Sequence, residues 1–176
     1  WYITAGVGMR PGAVLVGLLN PYDAAGIDAC AKTGITGFAL ESLPRISRAQ
    51  SMDVLSSQAN IAGYKAVMLA ANEYGRFMPM LMTAAGTVKA ARVLIMGVGV
   101  VGLQAIATAK RLGAKVDAYD SRPVVEEQVR SLGARFVKID VGETGQTKDG
   151  YARPLTEKQI QLQREAMKKL CADSDV

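Results

Sequence analysis

The sequence has no histidine, only two cysteines and few aromatic residues, with 6% Phe, Trp and Tyr in 176 residues. The lack of histidine excludes any mechanism in which this chain uses an imidazole as base, nucleophile or metal ligand. Cys30 and Cys171 are far apart and form no CxxC spacing, so neither a disulfide framework nor a zinc site is predicted. These absences predict a protein of a reducing compartment that has no metal site.

Long hydrophobic runs are also missing. A membrane-spanning helix needs about 20 consecutive apolar residues. The most strongly apolar uncharged stretch, 93–109, contains three glycines, a glutamine and a threonine. We therefore interpret it as a buried strand, a turn and a helix.

The charge of the chain is moderately basic. Lys and Arg number 21 against 16 Asp and Glu, which gives a net charge of +5. The basic residues are scattered and are not interleaved with aromatic residues, so we predict no nucleic-acid partner and interpret the charge as a solvated surface. With 49% hydrophobic residues, the composition is that of a globular protein.

Strand-like and helix-like segments alternate along the chain. Residues 13–19 and 36–40 form short apolar runs around a helical segment, which predicts a parallel βαβ unit. Residues 47–74 are strongly helical in pattern, and 92–140 reads as βαβαβ. The predicted fold class is therefore α/β, with a Rossmann-like parallel sheet joined by a long helix to part of a second α/β subdomain.

The long helix has two different sides in its sequence pattern. One side is polar and carries Gln50, Asp53 and Ser56. This polar side has two interpretations, a binding surface or an ordinary solvated helix face. On the other side, apolar residues recur at steps of three and four and predict the packing face: Met52, Leu55, Ala59, Ala62 and Ala66.

A GxGxxG pattern follows directly after one of the predicted strands and opens a predicted helix. Gly97 would form the tight turn, Gly99 would let the backbone approach a pyrophosphate, and Gly102 would let helix and strand pack closely. A pyrophosphate would lie at the helix N-terminus. The pattern thus predicts a dinucleotide site, against the alternative of a glycine turn without a ligand. The residues between the glycines complete the predicted cofactor-binding turn: Val98, Val100 and Val101.

An acidic residue is expected about 20 positions after the first glycine, and Asp120 stands 23 positions after Gly97. Its carboxylate would accept hydrogen bonds from the adenosine ribose and oppose a 2′-phosphate, which favours NAD over NADP. Arg122 leaves NADP as the alternative, because a guanidinium can compensate a phosphate. Asp140 ends a similar segment, so a strand-terminal Asp that serves only as a cap is a further alternative.

The segment 44–64, Pro-Arg-Ile-Ser-Arg-Ala-Gln-Ser-Met-Asp-Val-Leu-Ser-Ser-Gln-Ala-Asn-Ile-Ala-Gly-Tyr, resembles the NAD(H)-binding component of the proton-translocating nicotinamide nucleotide transhydrogenase family. Related alanine dehydrogenases share the fold and the glycine turn but not the Arg-Ile-Ser-Arg-Ala-Gln-Ser stretch. The resemblance extends over about residues 10–176, whereas 1–8 do not resemble the family. It continues in the same order through further motifs: 83–86, 97–102, 119–123, 127–133 and 150–152.

The resemblance implies roles for individual residues. Catalytic roles at the nicotinamide end fall to Arg45, Gln50 and Asp53, where an amide can orient a carboxamide without proton chemistry. Hydride transfer between two nicotinamides needs close approach and exclusion of water rather than a proton donor. The other implied cofactor-binding residues are Ser56 and Tyr64 near the nicotinamide, Asp120, Ser121 and Arg122 at the ribose, and Tyr151 on a mobile loop.

The resemblance also implies an organisation. Residues 1–43 would end a first α/β subdomain, 44–82 would form bridging helices, and 83–176 would be the first half of an NAD(H)-binding Rossmann subdomain. The chain is expected to be a piece of a longer component. A sheet cut at this point would leave the far edge of its first strand unpaired.

Partners and location follow from the same resemblance. NAD(H) would bind here and NADP(H) on a partner component, with a membrane-spanning component carrying protons and the intact component forming a homodimer. The protein would lie peripherally on the cytoplasmic face of a bacterial inner membrane, or on the matrix side in a mitochondrion. Two alternatives are an alanine-type amino-acid dehydrogenase and a non-catalytic NAD-binding module.

Overall fold

The structure is a computed structural model that describes residues 8–140, 142 and 154–176. The chain divides into two compact units, Trp1–Gln58 and Ala59–Val176, called here the first and the second unit. Both contain parallel strands connected through helices. The α/β class expected from the sequence is confirmed.

The first unit is built on a short βαβ arrangement. Strands β1 (Val14–Gly17) and β2 (Thr36–Ala39) pair in parallel, and helix α1 (Ala24–Lys32) connects them, as the sequence predicts. Two 3₁₀ turns follow, Leu40–Ser42 and Ser47–Met52. They start where β2 ends, so they lie at the edge of the sheet at which α/β proteins bind ligands.

The predicted helix over 47–74 is interrupted at Asp53. Helix α2 spans Val54–Tyr74, and the division between the two units falls within it. The Asp53 carboxylate accepts the Ser56 backbone N–H at 2.9 Å and the Ser56 hydroxyl at 2.7 Å. Aspartate is a strong N-cap residue, so these bonds begin a new helix where the pattern predicts continuation.

The packing face predicted for α2 is wrong. Met52 and Leu55 are half exposed, Ala62 and Ala66 are exposed, and the buried residues of the helix are Gly63 and Val67. A Cβ at Gly63 would lie 2.3 Å from the carbonyl oxygen of Val101 in the second unit. The smallest residue therefore sets the contact, because it lets the two backbones approach closely.

The connector predicted at 83–86 is the turn of a β-hairpin. Strands β3 (Leu81–Thr83) and β4 (Gly86–Val88) pair antiparallel. The Thr83 hydroxyl donates to the Gly86 carbonyl at 3.0 Å and accepts the Ala85 N–H at 3.2 Å. A hydroxyl that bonds the local backbone in this way favours a turn.

The main sheet of the second unit has the parallel order β5-β6-β7. Its core consists largely of Ala and Val, small side chains that allow close packing of helix on sheet. Strand β7 is shorter than the predicted 135–139. A Thr156–Gln159 capping box opens the last helix, as expected. The elements are β5 (Arg92–Met96), α3 (Val100–Arg111), β6 (Lys115–Tyr119), α4 (Glu126–Ser131), β7 (Arg135–Phe136) and α5 (Glu157–Ala172).

The far edge of β5 is not unpaired, contrary to the expectation. The Val176 N–H donates to the Arg92 carbonyl at 3.2 Å, and the Leu94 N–H donates to the Val176 carbonyl at 2.8 Å. This is the pattern of a parallel pair. The chain after α5 therefore returns to the side of β5 opposite β6, which makes the carboxyl end of β5 a topological switch point.

Candidate functional site

The glycine turn lies between β5 and α3, and its three glycines have different structural reasons. Gly97 has φ +93°, a left-handed conformation that favours glycine. A Cβ at Gly102 would lie 1.9 Å from the carbonyl oxygen of Gly97, so this position requires glycine for packing. The intervening Val98 is almost fully buried, Val100 is half-buried and Val101 is exposed.

Gly99 needs glycine for neither of these reasons. Its φ of −92° is accessible to any residue, and no described atom lies within 4 Å of a Cβ built there. It is the N-cap residue of α3, so the open space lies in front of the helix N-terminus. The backbone N–H groups and the helix dipole favour an anion at such a place. A dinucleotide pyrophosphate fits this cradle, which a side chain would fill.

Asp120 follows β6 and is bound to the turn itself. Its Oδ2 accepts the Val98 N–H at 2.7 Å, and its Oδ1 accepts the Arg122 backbone N–H at 2.8 Å. The Arg122 guanidinium donates from Nε to Oδ1 at 2.9 Å and from Nη2 to Oδ2 at 3.0 Å. Nη2 also donates to the Val98 carbonyl at 3.2 Å. The structure thus brings Val98, Asp120 and Arg122 together.

The electrostatics of this pair keep Asp120 ionised. Burial acts to raise the pKa of Asp120, but hydrogen bonds from the Arg122 guanidinium and from the backbone N–H groups of Val98 and Arg122 outweigh it. The pKa of Asp120 is therefore held below its usual value. Asp120 in turn raises the pKa of Arg122.

A cavity of about 330 Å³ lies at the carboxyl ends of β6 and β7. Asp120 and Ser121 belong to its lining, so Asp120 connects the glycine turn to this space. The sequence analysis missed the remaining residues, although their position just after parallel strands is the signal that finds such a site. The lining also contains Tyr119, Pro123, Phe136, Val137, Lys138, Ile139, Asp140 and Gly142.

A second cavity, of about 240 Å³, lies in the first unit beside the two 3₁₀ turns. Arg45, Gln50 and Asp53 all line it, so the structure brings the three predicted catalytic residues together. Ser56 joins them through its two hydrogen bonds to Asp53. The cavity stands at the carboxyl end of β2, where α/β sheets bind ligands.

The charges of this cavity are ordered by the helix cap. Hydrogen bonds from the Ser56 backbone and hydroxyl, together with the positive charge of Arg45, lower the pKa of Asp53 against a smaller effect of burial. Asp53 is therefore an ionised group whose position is fixed by the first turn of α2. Its first structural role is to cap α2, which the sequence analysis did not anticipate.

Glu41 is a residue of this cavity that the sequence analysis missed. Its Oε1 accepts the backbone N–H of Asn20 at 2.6 Å, and its Oε2 is buried with no hydrogen-bond partner among the described residues. Asn20 has φ +50°, an uncommon conformation outside glycine. Glu41 thus ties the loop after β1 to the loop after β2. A single Glu after a strand gives no sequence signal for this contact.

The predicted site residues fall into both units. Arg45, Gln50, Asp53 and Ser56 belong to the first unit, whereas Tyr64, the glycine turn, Asp120, Ser121 and Arg122 belong to the second. Tyr64 is half exposed on α2. Tyr151 lies outside the described residues, as do the predicted flexible loop around it and residues 1–7.

Two features are absent from the part of the chain that the structure describes. None of its helices is both long and apolar enough to cross a membrane. No group of three or more Cys, Asp and Glu among the described residues is placed to hold a metal ion.

The parallel sheet, the glycine turn and the Asp after the next strand place the second unit in the class of Rossmann-like α/β domains. Two family models match the chain, "Alanine dehydrogenase/PNT, N-terminal domain" over residues 4–62 and "Alanine dehydrogenase/PNT, C-terminal domain" over residues 66–176. The chain belongs to the alanine dehydrogenase/PNT family.

Individual relatives agree with this assignment. The chain is 54% identical over 152 residues to the first of the separate parts of NAD(P) transhydrogenase subunit alpha in Rhodospirillum rubrum, a match that covers 85% of this chain and 40% of that protein. The crystal structure of transhydrogenase from Sinorhizobium meliloti matches with 60% identity and a TM-score of 0.72, covering 76% of this chain and 39% of that one. These similarities confirm the resemblance to transhydrogenases.

A more distant structure represents the other branch of the family. An L-alanine dehydrogenase matches with 25% identity and a TM-score of 0.57, covering 73% of this chain and 37% of that one. The chain spans about 40% of the length of the Rhodospirillum relative. The activity of a whole protein is therefore a matter for proposal.

Proposed function

We propose that this chain is the NAD(H)-binding part of a proton-translocating NAD(P) transhydrogenase, which passes hydride directly between NAD(H) and NADP(H) on a partner component. The observation that carries the proposal is the open space at Gly99, in front of α3 and beside Asp120. The 54% identity to a transhydrogenase alpha subunit supports the choice of reaction.

In this proposal the second unit binds the adenosine and pyrophosphate parts of the cofactor. The N-terminus of α3 binds the pyrophosphate through backbone N–H groups at the glycine turn. Asp120 accepts the ribose hydroxyls, and its negative charge disfavours a 2′-phosphate, which selects NAD(H) over NADP(H). Ser121 and the apolar side chains of Val137 and Ile139 line the neighbouring cavity for adenine.

The first unit binds the nicotinamide end. NAD(H), when bound, donates or accepts hydride at its nicotinamide ring. Gln50 orients the carboxamide through its own amide, while the Arg45 and Asp53 charges fix the surrounding groups. No residue here needs to move a proton, which agrees with a chain that has no histidine. The catalytic contribution is alignment and exclusion of water.

The organisation and partners are also part of the proposal. We propose residues 1–43 as the end of one α/β subdomain, 44–82 as bridging helices and 83–176 as half of the Rossmann subdomain. The partners are an NADP(H)-binding component and a membrane-spanning component, with this chain lying peripherally on the cytoplasmic or matrix side. Met82, 81% exposed on the β3–β4 hairpin, offers an apolar surface for a homodimer.

An isotope experiment tests the reaction. The full-length protein is mixed with its NADP(H)-binding component, NAD⁺ and NADPH deuterated at the transferred position. Direct transfer predicts NADH that carries the deuterium, detected by mass spectrometry. NADH without deuterium would contradict direct transfer, and no NADH at all would contradict the reaction.

An alanine-type dehydrogenase is the second candidate, supported by the structural similarity to L-alanine dehydrogenase. It would oxidise NADH when pyruvate and ammonia are added to the full-length protein alone. A non-catalytic NAD-binding module would bind NADH and show neither reaction. The two assays together therefore separate the three functions.

A further inference from the structure

The Asp120 carboxylate is fully engaged by hydrogen bonds within the protein. Its two oxygens offer about four lone-pair positions. Four N–H groups of the described residues donate to them, the backbone N–H groups of Val98 and Arg122 and the Nε and Nη2 groups of Arg122, at 2.7–3.0 Å. A ribose hydroxyl that donates to Asp120 must therefore replace one of these donors.

Only the guanidinium donors are suited to leave. Val98 is almost fully buried in the glycine turn, and the Arg122 backbone N–H is fixed by the turn that precedes the 3₁₀ segment Pro123–Val125. The guanidinium, by contrast, stands at the end of a flexible side chain that is 20% exposed. It donates one N–H to each carboxylate oxygen, the bidentate arrangement typical of Arg–Asp pairs.

We propose that Arg122 is a specificity-determining residue that holds the place of the adenosine ribose, because its fork is exchanged for a cis-diol when NAD(H) binds. The two neighbouring hydroxyls of a diol supply two O–H donors, one for each oxygen, as the fork does. This inference rests on the proposed function, in which Asp120 binds that ribose.

A 2′-phosphate cannot make the same exchange. It removes the O–H donor at that position and brings negative charge towards the Asp120 carboxylate. Displacing Arg122 would then leave the carboxylate with fewer donors than before. The Asp120–Arg122 pair thus opposes NADP(H) more strongly than Asp120 would alone.

The exchange also weakens NAD(H) binding, since the pair must open first. Replacing Arg122 with methionine removes the fork and keeps a chain of similar length. In the full-length protein, Arg122→Met should lower the Kd for NADH about three- to tenfold in calorimetric titrations. The Kd for NADPH should not fall, so the preference for NADH widens.

Stability provides a readout that does not depend on activity. Without nucleotide, Arg122→Met should unfold at lower denaturant because the pair is lost. The free energy lost should equal the free energy gained in NADH binding, about 1.4 kcal/mol for a tenfold change in Kd. This equality follows only if the fork is released in the complex.

Arg135→Met is the matched control. Arg135 forms a similar fork on Asp117 in the same sheet, with distances of 2.8 and 2.5 Å. Its replacement should lower stability without changing the Kd for NADH. If Arg122→Met fails to fold, Arg122→Lys keeps the charge but loses the fork, and it should also bind NADH more tightly.

Unchanged or weaker NADH binding in the folded Arg122 variant would overturn the inference, because Arg122 would then be a bystander or a ligand of the cofactor. The proposed function fails separately. If the unmodified full-length protein binds no NADH, the assignment of Asp120 is itself wrong. If it binds NADH and only the Arg122 variants contradict the expectation, the inference alone fails.

Discussion

At the residue scale, the glycines of the turn offer a test that separates binding from folding. Gly99→Ala introduces a methyl group into open space at an ordinary φ, so stability should change by less than about 0.5 kcal/mol. The same methyl group would obstruct a pyrophosphate at the N-terminus of α3. We expect the affinity for NADH to fall at least tenfold in titrations of the full-length protein.

Gly102→Ala is the control for that variant. A Cβ there would meet the Gly97 carbonyl oxygen at 1.9 Å, so the backbone must shift and the protein should lose stability. If Gly99→Ala binds NADH as tightly as the unmodified protein, the turn is not the pyrophosphate site.

The lowered pKa of Asp120 predicts a pH dependence of stability. Its folded pKa lies below the unfolded value of about 3.9, so the pair stabilises the fold above that pH. This contribution, on the order of 1–3 kcal/mol, is lost as the pH falls through the folded pKa. Asp120→Asn should therefore be less stable than the unmodified protein at pH 7, and the difference should shrink below about pH 4.

Denaturant unfolding at several pH values measures this effect. A constant difference between Asp120→Asn and the unmodified protein from pH 7 to pH 3 would show that the carboxylate charge does not stabilise the fold.

Gln50 should affect the hydride step more than binding. Gln50→Asn shortens the side chain by one methylene, which displaces its amide by about 1 Å and can slow an alignment-limited reaction on the order of a hundredfold. The affinity for NADH should stay within a few fold, because the adenosine contacts lie elsewhere. Single-turnover hydride transfer to the NADP(H) component measures the effect.

Gln58→Asn is the matched control, since Gln58 lies on α2 outside the lining of the first-unit cavity. It should transfer hydride at the unmodified rate. If Gln50→Asn does the same, the polar side of this segment is a solvated helix face.

At the element scale, the contact between α2 and α3 depends on Gly63. An added Cβ would lie 2.3 Å from the Val101 carbonyl oxygen and 3.1 Å from the Gln104 Cβ. Gly63→Ala should therefore push the helices apart and cost about 1–3 kcal/mol, measured by denaturant unfolding.

Gly26→Ala in α1 is the control for the helix propensity of alanine. Its Cβ would meet only the flexible side chain of Asp23, so we expect neutral or slightly higher stability. Equal stability of Gly63→Ala and the unmodified protein would show that α2 and α3 can separate without cost.

The elements themselves were predictable to different degrees. The parallel strands and the glycine turn follow from short apolar runs and from glycines at fixed offsets, which are local signals. The packing face of α2 was not predictable, because α2 has apolar residues on most sides and the contact depends on Gly63. The break at Asp53 competes with a strong helical pattern, and an N-cap inside such a pattern is hard to recognise.

The same contrast holds for the site. The position of Asp120 follows from its spacing after Gly97. Its engagement by Arg122, and the link from Glu41 to Asn20, depend on side-chain geometry between loops that are distant in sequence. Such contacts leave no periodic pattern, so only the structure reveals them.

At the scale of the whole molecule, the two units differ in how much they bury. The described core belongs to the second unit, whereas Ala49 is the one buried hydrophobic residue among the described part of the first. Val14, Val16 and Phe38 on β1 and β2 are more than half exposed. The fold of the Rossmann-like unit is therefore much better supported by its own packing than that of the first unit.

The selection of NADH over NADPH by the full-length protein tests the central claim most directly. Calorimetric titration should give a lower Kd for NADH than for NADPH, because the Asp120 carboxylate accepts a ribose hydroxyl and repels a 2′-phosphate. Asp120→Asn should bring the two Kd values closer together. Equal affinities for NADH and NADPH in the unmodified protein would contradict the account.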